Sequence, residues 1–337
     1  MSDTPSAAPS STPTTAPSPC LGHAEVLVEK RCELGEGPSW DGARGEFRWL
    51  NILGRELHRY HLALREHRVT TLPILTSFAA PLASGDDLLV TEHGLARLIG
   101  HQGDEAKLAA WRDVEADNAI TRSNDARLDR QGGLWFSTMG KAAESGAGSL
   151  YRLYRGQIHV LRRHISIPNA LCFSPDGRLA YFTDTVTGVV MRWPLDPEGF
   201  PLRRDGAAFV TGATEDQAEP PALVEPEPWA DFSADAGNPD GAVVDSHGYM
   251  WLALWGAGRV ARLDPEGREV SHVRVDAEQP SCPAFGGRDL TMLLITTATE
   301  GKTALAEGAH DGATFIIDLA AALPGVRGLE EAPLKLN

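Results

Sequence analysis

The chain has 337 residues, with 31 Lys and Arg against 46 Asp and Glu, for a formal charge of −15. Hydrophobic residues make up 42% and charged residues 23%, which sets aside a wholly disordered chain and predicts a buried core. The acidic balance argues against nucleic acid as a partner, since phosphate binding calls for a basic stripe, and no apolar run reaches the roughly 18 residues of a membrane-spanning helix.

At the N-terminus 17 of the first 20 residues are Ser, Thr, Pro or Ala. Such a segment buries too little apolar surface to offset its ordering entropy. Residues 1–22 are therefore expected to form a disordered tail, and residues 23–337 the folded unit. The tail lacks the basic start and the apolar stretch of about 7–15 residues that mark a secretory signal, so a cytoplasmic protein is expected. Cys20, Cys32, Cys172 and Cys282 form no C-x-x-C pair, which argues against a disulfide framework or a thiolate zinc site. Cys172 and Cys282 read as small core residues.

From Glu36 onward a unit recurs: a small-residue turn, an apolar–Asp–x–x–Gly turn, an aromatic strand, and a strand ending in Arg or Tyr. It runs from Glu36 through Trp40-Asp41-Gly42, and more weakly from Ala80 through Gly85-Asp86-Asp87. Fuller copies begin at Asn124, Asn169 and Asp240, and another near Pro283. The first four starts are 44, 44 and 45 residues apart; the step from 169 to 240 is 71, and the next is 43. Each unit reads as four short strands with Asp-Gly turns, the pattern of a propeller blade. The predicted fold is all-β, a six-bladed β-propeller. Ala24–Glu29 alternates weakly and is expected to add a strand to the last blade.

The long step holds an insertion, roughly residues 199–237, that is Pro-rich and acidic. Between Glu215 and Asp235 lie seven acids and no Lys or Arg. It is expected to link the outer strand of blade four to the inner strand of blade five, on the rim of the site. It reads as a solvated loop, with a specificity-shaping lid as the alternative. His58, His61 and His67 read as surface residues on the outer strands of blade one.

Equivalent positions in a propeller stack around its axis. The first residues of the six inner strands are read as Glu36, Ala80, Asn124, Asn169, Asp240 and Pro283, at one mouth of the channel. Converging carboxylates are costly unless protons or a cation neutralise them. Two carboxylates and amide oxygens without His or Cys suit a hard or borderline divalent ion. Asn and Asp are also common turn residues at strand starts, so spacing alone leaves both readings open.

At these residues the chain resembles the SMP-30/gluconolactonase/luciferin-regenerating-enzyme family. The resemblance rests on Leu34-Gly-Glu-Gly-Pro-Ser-Trp-Asp41, Arg122-Ser-Asn-Asp125, Leu134-Trp-Phe-Ser-Thr-Met139, Ile167-Pro-Asn-Ala170, Ser174-Pro-Asp-Gly177, Pro239-Asp-Gly241 and Phe285-Gly-Gly287 before Leu294-Ile-Thr-Thr297. It implies a propeller with a metal site at one mouth that hydrolyses sugar lactones. It further implies Glu36, Asn169 and Asp240 as ligands of one divalent ion (Ca, Zn, Mg, Mn or Fe(II)), Arg122 and Asn124 as substrate-binding residues, and Asp240 as general base. The implied partner is a small sugar lactone, with neither nucleic acid nor membrane. Ala126 and Ala170 stand where the family has Gly, and Glu144 is not assigned to the site. Two other readings remain open: a non-catalytic Ca²⁺- or partner-binding propeller, and a hydrolase of another ester.

Overall fold

The structure is a computed structural model that describes residues 18–102, 104–207, 222–331, 333, 334 and 336. It is all-β and propeller-like. Among the described residues the one helical element is a 3-10 turn, Thr185–Thr187, and no helix is long and apolar enough to cross a membrane.

Two short strands come first, β1 (Cys20–His23) and β2 (Glu25–Val28). Six antiparallel arrays follow. The first holds β3 (Gly35–Asp41), β4 (Glu46–Asn51), β5 (Glu56–His61) and β6 (Glu66–Thr71). The second holds β7 (Thr76–Pro81), β8 (Asp87–Thr91), β9 (Gly94–Gln102) and β10 (Glu105–Asp113). The third holds β11 (Thr121–Leu128), β12 (Leu134–Gly140), β13 (Gly148–Tyr154) and β14 (Gln157–Ile165). The fourth holds β15 (Pro168–Phe173), β16 (Leu179–Asp184), β17 (Val189–Pro194) and β18 (Glu227–Asp231). In the fifth, β19 (Asn238–Val244), β20 (Met250–Trp255), β21 (Arg259–Leu263) and β22 (Glu269–Arg274) are joined by β1. In the sixth, β23 (Pro280–Gly286), β24 (Met292–Thr297) and β25 (Thr314–Asp318) are completed by β2. A parallel bridge between Thr71 and Glu105 fuses the first two arrays, so the hydrogen-bonded sheets number five.

The inner strands pack side by side in the order β3, β7, β11, β15, β19, β23 and back to β3. Successive side chains point to opposite faces, so each array is buried on both sides. Leu134 and Phe136 enter the cluster shared with the second array, while Trp135 between them packs with Trp193 of the fourth. The core is thus a set of wedges between arrays. The recurring turn Asp has a structural task. Asp129 accepts from the Gln131 and Gly133 N–H groups through Oδ1, and from Trp135 Nε1 and Arg152 Nε through Oδ2 at 3.2 and 2.7 Å. Asp245 repeats this with Trp251 and Arg262 at 3.1 and 3.3 Å.

Several expectations are corrected. Residues 1–17 lie outside the described residues, but residues 20–22 of the expected tail belong to β1, which pairs in parallel with β22. β2 does complete the last array, pairing with β25. The insertion does not link arrays four and five. The outer strand of array four is β18, inside the Pro-rich run, so the insertion joins β17 to β18. β15 runs from Pro168 to Phe173, β16 returns, and β17 ends at Pro194 opposite Leu179. The insertion therefore leaves from the end of the array remote from Asn169. Its flank packs there: Phe200 and Leu223 join the cluster of Trp135 and Trp193, and residues 208–221 lie outside the described residues. The described flanks of the insertion therefore do not lie on the rim. Replacing residues 205–221 by a short turn is expected to leave kcat/KM unchanged for every lactone turned over. A changed ranking of substrates would contradict the remote placement.

His58 is not a surface residue. It is fully buried on β5, with Nδ1 3.1 Å from His67 Nε2 and Nε2 3.2 Å from Glu56 Oε2. Burial lowers its pKa to about 4, so it is neutral. His67 is half-buried and stacks on Trp49, and His61 is half-buried.

Candidate functional site

Each inner strand carries a β-bulge near its start. In four of them three steps along the strand oppose two on the partner: Glu36 to Ser39, Ser123 to Ala126, Asn169 to Cys172 and Pro239 to Ala242. A bulge bends the strand and re-aims a side chain. These four bulges hold or adjoin Glu36, Asn124, Asn169 and Asp240. Strands β7 and β23 have a smaller irregularity, at 76/78 and 280/282. The residues next to Glu36, Asn124, Asn169 and Asp240 in the ring are therefore Ser77 and Ser281. Ala80 and Pro283, read from the period, lie further along their strands.

Left-handed backbone and close packing fix the bulges. Gly37 has φ +55°, and a Cβ there would overlap Ser77 O. Ala170 adopts φ +57° despite its Cβ, so the left-handed turn is kept at a cost in strain. Gly37→Ala is expected to cost about 2–5 kcal/mol, the left-handed penalty plus overpacking. Urea unfolding measures it, and a loss below about 1 kcal/mol would mean that the ring yields at this point.

Glu36, Arg122, Asn124, Asn169 and Asp240, from β3, β11, β15 and β19, all line one cavity of about 480 Å³. All five side chains are buried. Leu34, Met139, Ile167 and Trp255 supply an apolar wall, and Lys141 and Glu300 add charge. Glu144 turns back to accept from Ala142 N–H and is not among the lining residues.

The electrostatics are those of crowded acids. Burial, then repulsion from Asp125, raises the Glu36 pKa to about 8. Burial and repulsion from Glu36, Asp125 and Glu300 push Asp240 well above the usual carboxylate range. Asp125, buried beneath them, is raised to about 6 by burial, and its Oδ2 accepts from Leu171 N–H at 2.8 Å. Glu300 is raised by burial, with Arg122 opposing. Arg122 is the nearby cation, yet its Nη1 donates to Ser123 O at 2.9 Å and Asn124 Oδ1 at 2.8 Å.

Asn124 donates both amide hydrogens within the protein, to Pro168 O at 3.0 Å and Asn169 Oδ1 at 2.9 Å. It retains acceptor capacity at Oδ1, and no free N–H for a ligand. Two carboxylates and an Asn oxygen share the cavity, and Glu36 and Asp240 hold their protons tightly despite Arg122 beside them. This oxygen donor set of crowded acids fits a hard divalent cation. A second groove, about 660 Å³ and lined by Lys30, Asn51, Glu56 and Lys302, differs: Lys30 pairs with Glu56 at 2.9 Å.

Reading the sequence missed Glu300, Asp125 as a repelling charge, and Thr185, whose hydroxyl accepts from Asn169 Nδ2 at 3.0 Å. Thr185 follows Asp184 at the end of β16, and Asp184 accepts from the Ser166 and Ile167 N–H groups just before Asn169. The only sequence signal was the Thr-Asp-Thr run at a strand end, which any turn can show.

Comparison with known proteins shows the family of the chain. A protein of Rhizobium meliloti (strain 1021) named for sugar lactone lactonase activity is 38% identical over 292 residues, 86% of this chain and 91% of its own. The 6-deoxy-6-sulfogluconolactonase of Pseudomonas putida is 31% identical over 86% of this chain and 93% of its own. The crystal structure of regucalcin from Agrobacterium tumefaciens str. C58, described as a calcium-binding protein, superposes with a TM-score of 0.80 at 36% identity, covering 94% of this chain and 99% of that one. The model of the SMP-30/Gluconolactonase/LRE-like region matches residues 34–299, and the chain belongs to that family.

Proposed function

We propose that the chain is a hydrolase of sugar lactones, with its ring of six arrays read as a six-bladed propeller and the cavity at one mouth as the active site. The observation that carries the reading is the convergence of Glu36, Asn169 and Asp240 with Arg122 and Asn124 in one cavity. The relatives named for lactonase activity support it.

Glu36, Asn169 and Asp240 would hold one divalent cation. When bound, that cation supplies Lewis acidity toward a carbonyl and toward water. Asp240 accepts the proton of the attacking water as the new C–O bond forms at the lactone carbonyl. The ring C–O bond then breaks, and the proton held at Asp240 passes to the departing ring oxygen, which becomes a hydroxyl. Arg122 uses Nη1 within the protein, which leaves its other N–H groups for the substrate's oxygens. Asn124 offers the remaining acceptor capacity of Oδ1 to a sugar hydroxyl. The apolar wall suits the C–H face of a ring, and Trp255 is its largest member.

The test is a pH-indicator assay on chelator-stripped protein, with single divalent metals restored and a panel of aldonolactones. Acid release above the spontaneous rate, dependent on metal, supports the reading. Tight metal binding with no turnover by any metal favours a second reading, a non-catalytic cation-binding propeller. The similarity to a protein described as calcium-binding keeps that reading in view.

A further inference from the structure

We infer that Thr185 is a positioning residue that fixes the amide of Asn169 with its oxygen toward the cavity, and that a one-way chain of hydrogen bonds enforces this. The inference deepens the proposed site and rests on Asn169 holding a cation there. Arg122 can only donate. Its Nη1 lies 2.8 Å from Asn124 Oδ1, which forces the Asn124 amide to present Nδ2 on its other side. That nitrogen donates to Asn169 Oδ1 at 2.9 Å, which turns Asn169 Nδ2 away from it. Asn169 Nδ2 then donates to Thr185 Oγ1 at 3.0 Å, and the Thr185 hydroxyl donates to Pro239 O at 2.8 Å. A backbone carbonyl can only accept, so both ends of the chain have fixed polarity. A flip of Asn124 breaks three bonds and a flip of Asn169 two.

The chain crosses three arrays, from β11 to β15 to the loop after β16, and reaches β19 one residue before Asp240. One hydroxyl therefore orients the amide of Asn169 and ties down the backbone that carries Asp240. A methyl group in its place leaves Asn169 Nδ2 and Pro239 O without their partner, and only the bond from Asn124 Nδ2 then opposes rotation of the Asn169 nitrogen into the cavity. An N–H₂ group there repels a cation and cannot ligate it.

The experiment titrates chelator-stripped wild type, Thr185→Val and Thr185→Ser with Mn²⁺ by calorimetry, alongside lactone turnover. Thr185→Val is expected to weaken Mn²⁺ binding on the order of 10–100-fold, and Thr185→Ser to restore it to within a few-fold of wild type. Wild-type affinity in Thr185→Val, or a Ser variant as weak as the Val variant, overturns the inference. If Thr185→Val does not fold, Thr185→Ala against Thr185→Ser makes the same comparison. Wild type that fails to bind Mn²⁺ overturns the inference as well. Wild type that binds Mn²⁺ but turns over no lactone removes the hydrolase reading alone, and the role of Thr185 is then decided by the affinities.

Discussion

Replacing Asp240 with Asn is expected to act in opposite directions on activity and stability. Turnover should fall on the order of 10²–10⁴-fold, because the variant has no carboxylate to accept the proton from water. The chelator-treated variant should nonetheless be more stable than wild type near pH 8, by roughly 1–3 kcal/mol, because one of two mutually repelling buried charges is gone. The sign follows from the direction of the shifts. Glu36, raised to about 8, and Asp240, raised well above the usual range, both hold protons more tightly folded than unfolded. Between the unfolded values, 3.8 for Asp240 and 4.5 for Glu36, and about pH 8, the folded state binds more protons. Stability of the stripped wild type is therefore greatest below that window and falls by a few kcal/mol as pH rises through it. A bound divalent cation replaces the protons and should flatten the slope. Asp240→Asn should flatten it without metal. Urea unfolding in chelator from pH 5 to 8 measures both effects. A flat wild-type profile, or an Asn variant no more stable than wild type, would show that the two carboxylates do not repel as their burial requires.

What the sequence disclosed about this site divides by the range of the interaction. Turn chemistry is local, so the Asp-x-x-Gly turns at Asp129 and Asp245 were legible, and with them the unit starts at 36, 124, 169 and 240. The residues at those starts do share one cavity. In the weaker units at 80 and 283 no Asp, Asn or Glu marks the bulge. The period alone then slipped by a few residues along β7 and β23, past Ser77 and Ser281. β18 was hidden because its five residues include Pro228 and two acids, a composition that argues against a strand until the edge of array four is in place. β1 was hidden because it ends a Ser/Thr/Pro/Ala run, and its pairing partner β22 lies about 250 residues away. Thr185, Glu300 and Asp125 gain their roles from contacts between arrays. No local pattern encodes those contacts.

Arg127 is the extreme of that class, and it sets the other large expected effect. Placed on β11 and buried, it reaches across the ring. Nη1 donates to Pro38 O at 3.3 Å on β3 and to Glu331 Oε1 at 3.1 Å. Nη2 donates to Ala242 O at 3.1 Å on β19 and lies 3.6 Å from Cys282 Sγ on β23. Burial works against its charge, but Glu331 and Asp125 outweigh that and hold the guanidinium protonated. Glu331 is delivered by the C-terminal segment, which is anchored where Gly328 N–H meets Leu290 O, where Arg130 Nη1 donates to Glu330 O, and where Leu334 N–H meets Pro81 O. Arg127→Met is expected to cost about 3–5 kcal/mol, the loss seen when one partner of a buried pair is removed, since Asp125 and Glu331 are left uncompensated and two carbonyls lose their donor. Glu331→Gln should cost less, about 1–2 kcal/mol, because Asp125 and both carbonyls still engage the guanidinium. Urea unfolding of the two variants at one pH measures the difference. Equal losses would mean that the pair with Glu331 carries the whole contribution of Arg127 to stability. The larger loss for Arg127→Met would mean that the guanidinium ties the inner strands together in its own right. It would also mean that the acids above it, Asp125 first among them, depend on a cation that belongs to the fold.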